Sequence, residues 1–130
     1  VAALLILAHG GTWEMRFQVS SLAASVAAAG ERVDVALFFA ALDAWARDRW
    51  DDLDPAPPLS AERLETFDLP PLTEMLAPGR EDGLIRLYAC SASTRLLDLD
   101  TAAVQAKVDV LLGWQSFSRM IREAGRVVTL

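Results

Sequence analysis

The sequence predicts an α/β fold: a three-layer α/β/α sandwich around a five-stranded, mostly parallel sheet, flavodoxin-like in outline. Short apolar runs alternate with helix-patterned segments along the whole chain. The first strand, helix and second strand fit between Ala2 and Phe38, the spacing of a βαβ unit. Hydrophobic residues make up 53% of the 130. A parallel sheet buried on both faces absorbs much of that surplus, and a subunit interface takes the rest.

The elements follow in order. AALLILAHGG is a continuous apolar run ending at a glycine pair, a strand buried on both faces. Thr12 caps the next helix, Glu14 suits its first turn, and Met15, Val19, Leu22 and Val26 recur on one helical face before Gly30 closes it. RVDVALFF supplies strand two through Val33, Val35, Leu37 and Phe38. A second helix is expected from Ala40 to about Trp50. From Asp51 to Pro71 the chain turns acidic and Pro-rich, an excursion within one domain spanning 1–130, with a short helix around Ser60 to Thr66. Pro71 opens a helix, PLTEML, expected to break at Pro78-Gly79. Strand three is Leu84 to Cys90, and SAST leads into one helix rich in Leu and Ala. Val108 to Leu112 is strand four, Gln115 to Ala124 a helix, and RVVTL strand five.

Charge and composition exclude several functions. Twelve basic against eighteen acidic residues give a net charge of −6, which repels nucleic-acid phosphates and anionic lipid. No apolar run reaches the roughly 18 residues of a membrane span, and Val1 to Ala8 has neither the basic flank nor the cleavage signature of a signal peptide. One cysteine forms no disulfide framework and suits a reducing compartment, so the cytoplasm is expected.

Ligands of such sheets bind beyond the carboxyl ends of the strands. Four stretches lie there: His9, Gly10, Gly11 and Thr12; Phe39 and Ala40; Cys90, Ser91 and Ser93; and Gly113, Trp114 and Gln115. The only cysteine and the only histidine both fall on this edge. At a strand-to-helix junction, unpaired N–H groups and the helix dipole stabilise a thiolate at Cys90. The plainer reading of Cys90 is a small buried hydrophobe. His9 either serves the thiolate or bonds nearby backbone in a tight turn, and the HGGT turn offers a helix N-terminus to an anion. The G-x-G-x-x-G, G-x-x-x-x-G-K-[ST] and G-x-S-x-G patterns are all missing, so no nucleotide cofactor or serine nucleophile is expected. Asp51, Asp52 and Asp54 lack calcium-loop spacing, and no metal site is expected. Trp13 and Trp114 follow strands one and four and are expected to wall a pocket beside Cys90; Trp45 and Trp50 suit the core or a subunit contact rather than ligand binding.

Four segments resemble the DsrE/DsrF-like family, which includes YchN-like members. They are the opening strand running into a His-Gly turn, DVALFF, LPPLTEML before LIRLYAC, and the closing helix followed by RVVTL; LYACSAS is the most specific piece. The resemblance implies a five-stranded parallel α/β/α fold assembled as a trimer or hexamer. It also implies a sulfur relay in which Cys90 carries a persulfide, taken from a sulfur donor and passed to an acceptor protein or small thiol. With one thiol, a two-cysteine peroxidase cycle within the chain is excluded. Three functions remain: a sulfur carrier or sulfurtransferase on Cys90, a non-catalytic oligomeric module binding a small ligand or protein at the same edge, and a one-cysteine peroxidase.

Overall fold

The apolar runs become strands where the pattern places them. The computed structural model describes residues 1–55 and 59–130, which form β1 (Leu4–Ala8), α1 (Trp13–Ala28), β2 (Val33–Leu37), α2 (Phe39–Ala46), α3 (Ala61–Thr66), α4 (Leu72–Glu81), β3 (Ile85–Cys90), α5 (Ser91–Leu96), α6 (Thr101–Lys107), β4 (Val110–Leu112), α7 (Trp114–Glu123) and β5 (Arg126–Thr129). Pro57 and Pro58 of the expected excursion lie outside the described residues. The strands form one sheet, ordered β4-β3-β2-β1-β5, and every neighbouring pair is parallel. The expected fold class is correct.

This order decides where the helices go. β1, β2, β3 and β4 step one way across the sheet, and β5 returns to the far side of β1. Crossovers of one hand that step one way share a face, so the return crossover takes the other. One core accordingly joins Leu4, Ile6, Val35 and Leu87 to α1, α2, α4 and α6 through Val19, Leu42, Leu76 and Val104. The other joins Leu5, Leu7, Ala36, Phe38, Tyr88 and Cys90 to α7 alone, through Phe117, Met120 and Ile121.

Several local expectations are corrected. The inward face of α1 is centred on Trp13, Arg16, Val19, Ser20, Ala23 and Ala27; of the expected stripe, Val19 is buried, Leu22 and Val26 pack at the margin of the core, and Met15 stays partly exposed outside it. The small residues let α1 approach α4: a Cβ on Gly79 would stand 3.0 Å from the Ala27 Cβ and 2.5 Å from Ile85 Cδ1. The helix also continues through Pro78-Gly79 to Glu81. Proline there forfeits one amide bond to an exposed turn, while the tight packing of Gly79 holds the segment helical. α2 ends at Ala46 rather than near Trp50, with Asp48 in the left-handed region at φ 58°. The helix after SAST is two helices, separated where Asp98 takes φ 53° and Asp100 caps α6 through the Ala103 N–H. β4 starts at Val110, because the exposed Asp109 before it accepts the Leu87 N–H with its carboxylate at 2.7 Å. The short helix expected near Ser60 forms as α3, with Ser60 accepting the Arg63 N–H.

Candidate functional site at the carboxyl edge

The helices that follow β3 and β4 leave toward opposite faces, which makes the junction of these strands the topological switch point. Ser91 and Gly113 meet there: a Cβ on Gly113 would lie 3.6 Å from Ser91 Oγ. Cys90 caps α5, and its Sγ receives the Ser93 N–H at 3.5 Å. Thr94 Oγ1 bonds the Cys90 carbonyl at 2.9 Å, and Ser93 Oγ is buried without a partner among the described residues. The position at the strand end is the expected one, but the thiol is 1% exposed. It packs in the cluster of Phe38, Tyr88 and Phe117. The main surface cavities among the described residues are lined by other side chains.

The neighbouring edge is aromatic. Phe38, buried on the α7 side of β2, stacks on His9 at 4.7 Å and on Trp114 at 5.1 Å, with Phe117 tilted against it at 5.1 Å. Trp114 is 49% exposed. Thus His9 is brought to Phe38, and through it to Trp114; β2 separates the strand ends carrying His9 and Cys90. Phe39, next along the edge, is 47% exposed and holds φ 42°. A bulky side chain in the left-handed region costs about 1–2 kcal/mol. Such strain gathers at functional positions. Gln115, one residue into α7, is exposed.

Gly11 and Thr12 belong to a different cleft, while Gly10 packs against the Met15 side chain. Gly11 passes the β2–α2 turn so closely that a Cβ would stand 2.6 Å from the Ala40 Cβ. Gly11 and Thr12, with Arg16, Asp43, Arg49 and Asp54, line a cleft of about 540 Å³. Thr12 caps α1 as expected, accepting the Met15 N–H at 3.3 Å. Arg16, 4% exposed, bonds the carbonyls of Gly11, Arg49, Trp50 and Asp52 at 2.6–3.0 Å and the Asp54 carboxylate at 3.2 Å. Burial lowers its pKa, and Asp54 opposes that shift. The other Asp54 oxygen accepts the Trp13 N–H at 3.0 Å. The helix N-terminus expected to attract an anion therefore holds the chain's own carboxylate.

Sequence reasoning placed Phe39 on the carboxyl edge but missed Arg16 and one further cluster. Asp34 is 6% exposed in the central strand. It accepts Arg32 Nε and Nη2 at 3.3 Å, and Arg32 Nη2 also reaches Tyr88 Oη at 3.3 Å. Burial, then the Asp34 charge, raises the Tyr88 pKa above the phenol range. The available signal was an aspartate inside a strand with apolar residues on both sides.

Among the described residues no group of three or more His, Cys, Asp or Glu side chains is arranged to hold a metal ion, and no helix is long and apolar enough to cross a membrane. No family model matches the chain, and no curated protein matches it either. The DsrE/DsrF-like resemblance rests on the segments quoted above.

Proposed function

We propose that this chain is a non-catalytic binding module, whose carboxyl edge takes a partner through the exposed aromatics Trp114 and Phe39. One observation carries this reading: two large aromatics stand about half exposed on that edge, one in a strained backbone conformation, while the only thiol is buried in the cluster of Phe38 and Phe117. A flat aromatic surface with one face packed and one face free receives planar or apolar groups. The exposed Phe67 and Leu96 suit self-association into a homo-oligomer, and a cytoplasmic setting fits the lone thiol.

Sulfur carriage on Cys90 is the second reading, favoured by the Ser93 N–H directed at Sγ. A thiolate gains from that donor, but transfer requires the cluster around Phe38 and Phe117 to open. Incubation with a persulfide donor followed by intact-mass measurement separates the two. The binding module stays at its native mass. An added sulfur atom on the folded protein that disappears in Cys90→Ser overturns it in favour of the carrier.

A further inference from the structure

On the α1–α6 side of the sheet, a groove of about 410 Å³ runs between α4 and the pair α2 and α6, lined by Trp45, Trp50, Asp51, Thr73, Arg80 and Lys107 among others. It lies apart from the aromatic carboxyl edge and falls in the size range of small-molecule sites. Its polar groups are mostly committed. Lys107 Nζ bonds the Ala46 carbonyl at 2.7 Å and Asp48 at 2.8 Å. Both Asp51 oxygens bond Thr73, one through the amide at 2.8 Å and one through Oγ1 at 2.6 Å. The indole N–H of Trp45 is given to the Lys107 carbonyl and that of Trp50 to Ser20 Oγ, each at 2.9 Å. The two indoles meet edge to face at 5.5 Å, with Trp50 buried behind and the partly exposed Trp45 left as the ring that faces the groove.

Arg80 is different. Its Nε is buried and has no hydrogen-bond partner among the described residues. Its guanidinium stands 5.6 Å from the Trp45 ring. Its nearest carboxylate, Asp109, is 4.0 Å away and accepts the Leu87 amide with the same oxygen. The side chain is one-third exposed, and a guanidinium beside an aromatic wall that offers its two Nη groups matches a planar carboxylate accepting two parallel N–H bonds. Asp48 and Asp51 line the same groove and repel a second negative charge.

We propose that this groove is a binding site for a small organic monocarboxylate, its carboxylate on Arg80 and its flat or apolar body against Trp45, which Trp50 backs from the core. The test titrates the folded protein with benzoate, with benzyl alcohol and inorganic phosphate as controls, following the four indole N–H resonances by NMR. Benzoate is expected to move the Trp45 and Trp50 signals saturably. Benzyl alcohol, phosphate and the Arg80→Met variant are each expected to bind at least about tenfold more weakly, the loss of one charged hydrogen-bonding group. Ala106 is an exposed residue of α6 on the groove wall, so Ala106→Trp is expected to block benzoate without disturbing the core. Any one of four results overturns the proposal: no saturable shift at millimolar benzoate, equal binding of benzyl alcohol, binding by Arg80→Met as tight as by the parent, or full affinity in Ala106→Trp. Tighter binding of phosphate than benzoate overturns the assignment to a monocarboxylate.

Discussion

Arg16 and Arg80 each line a cleft of several hundred cubic ångströms, on helices that pack against each other over the same sheet face. Around Arg16 the chain has folded back on itself: four carbonyls and one carboxylate converge on the guanidinium, and the acidic segment after α2 is tied down by it. Around Arg80 an aromatic wall has formed, but the chain supplies no partner for Nε among the described residues. Cleft size does not separate the two. The difference lies in whether the cation's donors are already used: the first arginine is structural and the second is left for something outside the chain.

The largest expected effect is at Arg16. Arg16→Met strands buried carbonyls and the Asp54 carboxylate, and should destabilise the protein by about 3–5 kcal/mol in denaturant unfolding. A loss below about 1 kcal/mol breaks the contrast with Arg80, because the clasp would then be a surface pair.

Arg32 is intermediate, paired with Asp34 and Tyr88 on the α7 face. Because the folded Tyr88 pKa is raised, the folded state holds the phenol proton where the unfolded chain has lost it. The associated stability is complete below about pH 10, the unfolded phenol pKa. It falls as pH rises toward the folded value, by up to about 1.4 kcal/mol per pH unit. Tyr88→Phe should remove this component, and an unchanged alkaline slope in that variant contradicts the burial argument.

The smallest effect is expected at Arg80. Arg80→Met should change stability by less than about 0.5 kcal/mol, since the ion pair to Asp109 is long and part-exposed. A loss comparable to that of Arg16→Met would make Arg80 a structural group and remove the contrast.

These contrasts also explain what was legible in the sequence. Strand identity was readable because β1 and β2 are buried at every residue, so local composition reports the environment directly. The caps at Thr12 and Ser60 were readable because capping acts within three residues. The inward face of α1 was not, since its buried positions include Arg16 and Ser20, whose partners lie thirty or more residues away. Pro78 was misjudged for a similar reason, as the contacts of Gly79 with Ala27 and Ile85 are tertiary. Cys90 shows both sides. Its place at the end of β3 is local and was read correctly, whereas its burial depends on Phe38 and Phe117, brought in by distant elements. Strand order carries no local signature, yet it alone sends α7 to the opposite face.

The central claim is that Cys90 is sealed in the folded chain, so that the carboxyl edge acts by binding rather than by thiol chemistry. Labelling of the native protein with an excess of a small aromatic disulfide, followed by absorbance across a pH series, tests it most directly. The account predicts that the thiol reacts only at the rate of protein opening in native buffer and fully once denatured. Stoichiometric labelling of the folded chain within seconds, with a thiolate profile well below the usual pKa of about 8.5, would contradict it.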